Sequence, residues 1–368
     1  MQILITGSKG FIGQNLVTEL LHSNSYKVDT FNRDDDISLL ESKITQADAI
    51  FHLAGENRPI DEREFERCNY QLTKRICKII EKVNKKIPII FSSSTQADEN
   101  NLYGKSKLAA ENVLLELAKN VGSYVTIYRL PGVFGKWSKP NYNSVVATFC
   151  HNIANQFPIK IDEPNKLLKL VYIDDVIQSF IQTLTSKDKT QKLGQVKPLY
   201  SITIQELATQ IQLFYDSRQS LITERVGADL TRALYATYLS FLSPNQFTYE
   251  IPSFPDQRGL FAEVLKTYDS GQFSFFTTLP GVTRGQHFHH SKSEKFIIIK
   301  GKARFRFRHL LTNERFEILA TSDNLKIIET IPGWVHDITN VGENEMIAML
   351  WANEIFDRNQ PDTISSEV

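Results

Sequence analysis

Three groups of residues in this sequence have the types and spacing that chemistry needs. The first, Gly7-Ser-Lys9-Gly10-Phe11-Ile-Gly13, follows the apolar run Gln2-Ile-Leu-Ile-Thr6 and precedes an amphipathic stretch. Glycines so placed between a strand and a helix allow a tight turn, close approach of the backbone to a pyrophosphate, and tight helix–strand packing, while the helix start offers free N–H groups and positive dipole. The second, Tyr103-Gly-Lys-Ser-Lys107, opens another helix, where the i, i+4 spacing sets a phenol and an ammonium on one face. A nearby fixed cation and a cofactor ribose can lower a phenol from its ordinary pKa of ~10, so that the tyrosine donates a proton as hydride reaches a carbonyl. Upstream, Phe91-Ser-Ser-Ser94 ends a strand and puts a hydroxyl within reach of the same oxygen. The third group is His287-x-His289-x4-Glu294 with His336. Alternation sends the first two imidazoles to one face of a strand, and a facing strand can bring the other two ligands to the same point.

Each group has a chemical consequence. The strand Lys27–Phe31 is followed by Asn32-Arg33. A carboxylate there would hold the ribose 2′-hydroxyl of NAD, whereas an arginine favours the 2′-phosphate of NADP. NADPH is therefore the expected cofactor, with Lys9 a second phosphate contact and a solvated loop charge the alternative reading of Arg33. Three imidazoles and a carboxylate suit a divalent transition ion; zinc is the first choice, and manganese, iron and nickel stay open because ligand type alone does not choose among them. His290 would point away from the pair, at the surface or behind the ligands.

These residues need elements to hold them. Over residues 1 to about 185, strand-like runs (Gln2–Thr6, Lys27–Phe31, Ala49–Leu53, Ile87–Phe91, Val125–Tyr128) alternate with helical stretches near 11–22, 65–83 and 104–119. This is a βαβ series, and predicts a doubly wound parallel sheet of the Rossmann type. Helices are expected at Ile204–Tyr215 and Asp229–Leu242. After residue 250 come closely spaced strands, Lys295–Ile299, Ala303–Arg308, Arg315–Leu319 and Lys326–Glu329, separated by Gly and Pro turns. These predict an all-β jelly-roll barrel. Ser243-Pro244 gives a break, so the expected domains are 1–244 and 245–368. Lys+Arg and Asp+Glu both number 42 in 368 residues, which leaves no basic excess for a nucleic-acid backbone. The longest apolar runs fall far short of the ~20 residues of a membrane span. With no secretory signal visible, and Cys68, Cys77 and Cys150 fitting reduced thiols better than a disulfide frame or metal site, the cytoplasm is the expected setting.

Gly7-x-x-Gly10-x-x-Gly13, His52-Leu53-Ala54-Gly55, Asn69, Ser94, Tyr103-x-x-x-Lys107 and Tyr172-Ile-Asp-Asp175-Val resemble the extended short-chain dehydrogenase/reductase family. The resemblance implies a catalytic set of Ser94, Tyr103 and Lys107, a cofactor cradle that includes Phe11, Leu53, Ala54 and Gly55, and a nucleotide-sugar site lined near Asn143 and Ser144. Only eight residues separate Ser94 from Tyr103, fewer than is usual in the family, so the connecting loop must be shortened. Gly281-x5-His287-x-His289-x4-Glu294-x6-Gly301 and the later Gly333, His336 and Asn340 resemble the two motifs of the cupin barrel, with Ile331 where a proline is common. Pro255-Asp256-Gln-Arg258-Gly259, with Arg284-Gly285-Gln-His287, is similar to cupin epimerases of nucleotide-linked 4-keto-6-deoxy sugars, which makes Arg258 a candidate substrate contact. In those epimerases the histidine matching His287 is the base; here it also belongs to the metal quartet, so the base stays open.

A reductase half and an epimerase half make sense in one order. The C3 hydrogen is acidic only while C4 is a ketone, so epimerisation precedes reduction. The whole chain, to Trp351-Ala-Asn-Glu354 and the Asn359-Gln-Pro-Asp-Thr363 tail, resembles a family of bifunctional capsular-polysaccharide enzymes. That resemblance implies a UDP-linked 4-keto-6-deoxy amino sugar as substrate and a homodimer with zinc in the barrel. It also implies C3 epimerisation of a UDP-2-acetamido-2,6-dideoxy-4-hexulose, then reduction to UDP-N-acetyl-6-deoxytalosamine, on the route to N-acetyl-L-fucosamine. The other readings are a monofunctional reductase, 4-epimerase or dehydratase, a redox-sensing regulator, and a barrel that only binds sugar or holds a dimer together.

Overall fold

Short apolar runs separated by amphipathic helices produce a sheet buried on both faces. The computed structural model describes residues 1–23, 25–186 and 192–368. The first half supplies strands β1 (Gln2–Thr6), β2 (Lys27–Phe31), β3 (Ala49–His52), β4 (Ile89–Ser94), β5 (Val125–Leu130), β6 (Gly132–Phe134), β7 (Leu167–Tyr172), β8 (Lys192–Gly194) and β9 (Tyr200–Thr203). Its helices are α1 (Phe11–His22), α2 (Leu39–Gln46), α3 (Arg63–Phe65), α4 (Leu72–Val83), α5 (Leu102–Val121), α6 (Val145–Ala154), α7 (Ile173–Thr185), α8 (Ile204–Ser220) and α9 (Asp229–Leu239). Six strands pair in the order β2-β1-β3-β4-β5-β8, all parallel, and β6-β7-β9 form a small second sheet.

Packing follows the strand alternation. Leu4, Ile50, Phe91 and Ile127 pack with Leu40 and Ile44 of α2, Ile76 and Ile80 of α4, and Leu114 and Leu117 of α5. Phe51 stacks on Phe180 of α7 on the other face, with ring centroids 6.0 Å apart. Each fully buried aliphatic side chain of this kind contributes roughly 1.5–3 kcal/mol. Chain order reverses at β1, which is flanked by β2 and β3. A crevice opens there at the carboxyl ends of the strands, the place where open α/β sheets bind ligands.

The helix expected over 65–83 carries a π turn, Glu66–Gln71, between α3 and α4. It turns Asn69 inward, where the residue is 1% exposed. α5 starts at the Asn101 cap, whose Oδ1 accepts the Gly104 N–H at 2.7 Å, and stops at Gly122 in the left-handed region.

The second half forms β10 (Ser253–Asp256), β11 (Gly259–Thr267), β12 (Gly271–Thr278), β13 (Thr283–Phe288), β14 (Glu294–Lys300), β15 (Lys302–His309), β16 (Arg315–Thr321), β17 (Ile328–Thr330), β18 (Trp334–Asn340), β19 (Met346–Ala352) and β20 (Ile364–Ser365). They make two antiparallel sheets, β10-β11-β12-β19-β14-β17 and β16-β15-β18-β13-β20, rather than one closed barrel. Alternation is plain in β15: Ala303, Phe305 and Phe307 are buried and Arg304, Arg306 and Arg308 face away. The inward set joins Phe276, Phe296, Ile338 and Met346 in one core. Two compact units result, Met1–Ile211 with Arg232–Leu242, and Gln212–Thr231 with Ser243–Val368. Among the described residues no helix is long and apolar enough to cross a membrane.

Candidate active site and candidate metal centre

A cleft of about 710 Å³ lies at the carboxyl edge of the parallel sheet. Gly7, Lys9, Gly10, Phe11 and Gly13 line it from the β1–α1 turn, Leu53 and Gly55 from the end of β3, and Ser94, Tyr103 and Lys107 from β4 and α5. Asn143 and Ser144 reach it from the start of α6, whose N-terminus Ser144 caps by accepting the Ala147 N–H at 3.2 Å. Ala54 stands behind the lining and donates its N–H to Thr6 Oγ1 at 3.3 Å. His52 is fully buried beneath, with its two ring nitrogens 2.7 Å and 2.8 Å from the hydroxyls of Thr6 and Thr73. Burial, and then the charge on Lys107, push its pKa down to about 3, so it is a neutral staple between strands and helix.

Tyr103 and Lys107 are placed by the first two turns of α5. Lys107 is 5% exposed, and its ammonium donates to the Ser92 carbonyl at 3.0 Å. Burial pulls its pKa down to about 8, against the opposing charge of Glu111 one turn further on. The Tyr103 phenol is not lowered: burial raises it above 10, and a hydrogen bond with Ser94 only partly opposes this. Burial disfavours the charged phenolate, so the chain alone holds the Tyr103 phenol protonated at neutral pH. Ser94 has a second task, since its hydroxyl caps the 3-10 turn Thr95–Asp98 by accepting the Gln96 N–H at 3.1 Å. That turn is how eight residues suffice between Ser94 and Tyr103. It presses so closely on α5 that a Cβ at Gly104 would collide with the Gln96 carbonyl oxygen of the turn. Arg129 ties the turn down through Asp98 at 2.7 Å and Glu111 at 2.7 Å.

Arg33 does not line the cleft. Its guanidinium lies 3.0 Å from Glu56 and 3.8 Å from Glu64, and Lys9 pairs with Asp34 at 3.2 Å. Glu56, a cleft residue that the sequence reading did not single out, also accepts the Tyr142 hydroxyl at 2.8 Å. Burial would raise its pKa, but the bonds from Tyr142, Arg58 and Arg33 hold it low. The signal in sequence was only its place after Gly55.

In the β unit, His287, His289, Glu294 and His336 each present a ligand atom, and these atoms lie within 4.8 Å of one another. Alternation puts His287 and His289 on one face of the strand, and the register across to β18 makes it the face that His336 shares. Between β13 and β18 the register runs Gly285↔Asp337 and then His287↔His336, so Gln286 is an extra residue in a β-bulge. The bulge reverses the parity of β13 and turns His287 inward. Gly285 permits it, with φ +93° and a would-be Cβ 2.9 Å from the His336 carbonyl. Glu294 is buried; burial raises its pKa, but the imidazoles of His289 and His336 beside it and the charge of Lys292 hold it well below the usual range. His289 Nε2 and His336 Nε2 lie 3.3 Å and 3.4 Å from Glu294 Oε2. The His336 contact lacks hydrogen-bond geometry, which leaves that buried Nε2 with no hydrogen bond. A converging set of three imidazoles and a carboxylate, with an orphaned nitrogen among them, fits a divalent cation. His290 is exposed, and its N–H donates to Asp362 at 2.8 Å. Arg258 is tied to Asp256 at 2.5 Å, with Arg284 3.6 Å from the same carboxylate. Lys292, 3.2 Å from Glu294 Oε1, and Asp362 in the tail were missed, because both depend on loops whose paths spacing does not reveal.

Residues 3–197 match the NAD dependent epimerase/dehydratase family, and residues 254–364 match the polysaccharide biosynthesis C-terminal domain. The chain is 51% identical, over 100% of its length and 99% of the relative's, to the UDP-2-acetamido-2,6-beta-L-arabino-hexul-4-ose reductase of Pseudomonas aeruginosa. It is similar along 100% of both chains to the capsular polysaccharide assembling protein CapF from Staphylococcus aureus, with a TM-score of 0.91 and 39% identity. A UDP-glucuronic acid 4-epimerase from Bacillus cereus, 18% identical with a TM-score of 0.56 over 66% of this chain, shares the fold of the first unit.

Proposed function

This chain belongs to the NAD-dependent epimerase/dehydratase family, and from that premise we propose that it is a bifunctional nucleotide-sugar enzyme. Its reaction is C3 epimerisation of a UDP-2-acetamido-2,6-dideoxy-4-hexulose followed by reduction of the C4 ketone to UDP-N-acetyl-6-deoxytalosamine, on the route to UDP-N-acetyl-L-fucosamine for surface polysaccharide. The observation that carries the reading is that one chain holds two complete sets of groups: Ser94, Tyr103 and Lys107 around a cleft, and three histidines with Glu294 at one point in the β unit. The relative from Pseudomonas, named as a reductase of a UDP-linked hexul-4-ose, supports the substrate class.

In the reductase domain, taken as 1–244, the turn Gly7–Gly13 with Leu53 and Gly55 would hold NADPH, which would supply the hydride for C4. Tyr103, protonated across the neutral range, gives its proton to the ketone oxygen. The Lys107 charge stabilises the phenolate left behind, and Ser94 donates a hydrogen bond to the same oxygen. Asn143 and Ser144 contact the sugar nucleotide, and Lys9 and Arg33 meet the 2′-phosphate, Arg33 by exchanging a carboxylate partner for the ligand. In the cupin domain, taken as 245–368, His287, His289, Glu294 and His336 hold the cation, which we take to be zinc; when bound it supplies positive charge that stabilises an oxyanion at C4. Arg258 meets the diphosphate. The working form is a cytoplasmic homodimer.

The test is proton–deuterium exchange by NMR, with the UDP-4-keto-6-deoxy N-acetylhexosamine in D2O and no NADPH. Deuterium should enter C3, and subsequent NADPH should be oxidised one for one with product. Exchange no faster than in the enzyme-free control, with NADPH still consumed, would leave a reductase whose β unit only binds or supports.

A further inference from the structure

The tail segment Asn359–Thr363 matched a pattern in the sequence without acquiring a task, and its contacts supply one. The Asp362 carboxylate accepts three consecutive backbone N–H groups, those of His290 at 2.8 Å, Ser291 at 2.7 Å and Lys292 at 2.8 Å, and the Ser291 hydroxyl at 3.0 Å. Successive N–H groups converging in this way form an anion nest. The backbone carbonyl of Asp362 accepts the Nδ1–H of His289. The chain beyond is tied along the sheet edge: Ile364 and Ser365 pair with Phe288 and His287, Ser366 N–H donates to the Gln286 carbonyl at 2.9 Å, and Arg308 donates to the Glu367 carbonyl at 2.7 Å.

We propose that Asp362 is a positioning residue through which the C-terminal tail sets the orientation of two ligands of the candidate metal centre. This rests on the reading of the quartet as a metal site. The first ligand is His289. With Nδ1–H donated to a carbonyl, the lone pair lies on Nε2, the atom that faces the other ligands, and the ring cannot rotate away. The second is Glu294. The loop that Asp362 clamps ends in Lys292, whose ammonium takes Glu294 Oε1 at 3.2 Å and leaves Oε2 facing His289 and His336. A residue 73 positions along the chain from His289 thus fixes which nitrogen and which oxygen are offered.

The experiment compares full-length wild type, Asp362→Ala, Asp362→Asn and His336→Ala. Each is stripped of metal and titrated with Zn²⁺ against a chromophoric chelator, then loaded with Co²⁺ for its d–d absorption. Loss of a partner behind a ligand typically weakens metal binding by about 10–100-fold. Asp362→Ala should show a weakening of that order and an altered Co²⁺ spectrum, with part of the affinity recovered in Asp362→Asn, which retains an acceptor oxygen. Wild-type affinity and spectrum in Asp362→Ala, alongside loss in His336→Ala, would overturn the tail's role and leave the metal site standing. Equal weak binding by wild type and His336→Ala would instead overturn the metal reading, and the tail's role with it.

Discussion

At Lys107 two opposing influences set the charge that the proposed ketone reduction requires. Burial lowers its pKa to about 8, and Glu111 pulls the other way. A buried ammonium with a depressed pKa is charged below that value and neutral above it. The kcat/KM for reduction, which reports the free enzyme, should therefore fall as pH rises through about 8, losing close to tenfold per unit beyond. A profile flat to pH 10 would remove Lys107 from the chemistry. Tyr103 contributes no limb in that range, because burial holds the phenol protonated. The pairing of Tyr103 with Lys107 was legible from a spacing of four on a helix. The second tasks of neighbouring residues were not: Ser94 caps the 3-10 turn beside it, and Glu111 both accepts from Ser93 at 2.5 Å and binds Arg129.

Among the elements, the irregular ones do the positioning. The π turn at Glu66–Gln71 rotates Asn69 inward, where it donates to Ser106 Oγ at 2.9 Å. The bulge at Gln286 turns His287 to the ligand side. Neither shows in hydrophobic periodicity, since both are one-residue departures from the period that defines the element. Gly285→Ala tests the bulge. An alanine forced to φ +93° against the His336 carbonyl costs about 1–3 kcal/mol if the bulge survives. If the bulge slips, His287 turns away. Either way the midpoint of urea unfolding should drop, and Zn²⁺ affinity should drop with it; unchanged values for both would show that the ligand set does not depend on the bulge.

On the scale of the whole molecule, the two proposed sites act in turn on one ketone, and this makes a complementation test possible. Tyr103→Phe should retain C3 exchange and lose reduction by about 100-fold or more. His336→Ala should lose C3 exchange and still reduce material already epimerised. Mixed, the two variants should form product from the unepimerised ketone with NADPH, whereas neither does so alone. Failure of the mixture, with both single activities intact, would argue that the intermediate is not released. The sequence by itself determined the two fold classes, the glycine-rich turn, the four-residue spacing of Tyr103 and Lys107 and the spacing of His287, His289 and Glu294, because these depend on local spacing and on periods of two and 3.6 residues that neighbours along the chain fully encode. Tertiary structure alone decided that Arg33 faces Glu56 and Glu64, that the bulge after Gly285 sets His287 opposite His336, and that Asp362 closes the loop behind them. Those outcomes are contacts between residues from 23 to more than 70 positions apart, and which carboxylate or carbonyl fills a given space is set by the packed fold, not by any pattern within a window of the chain.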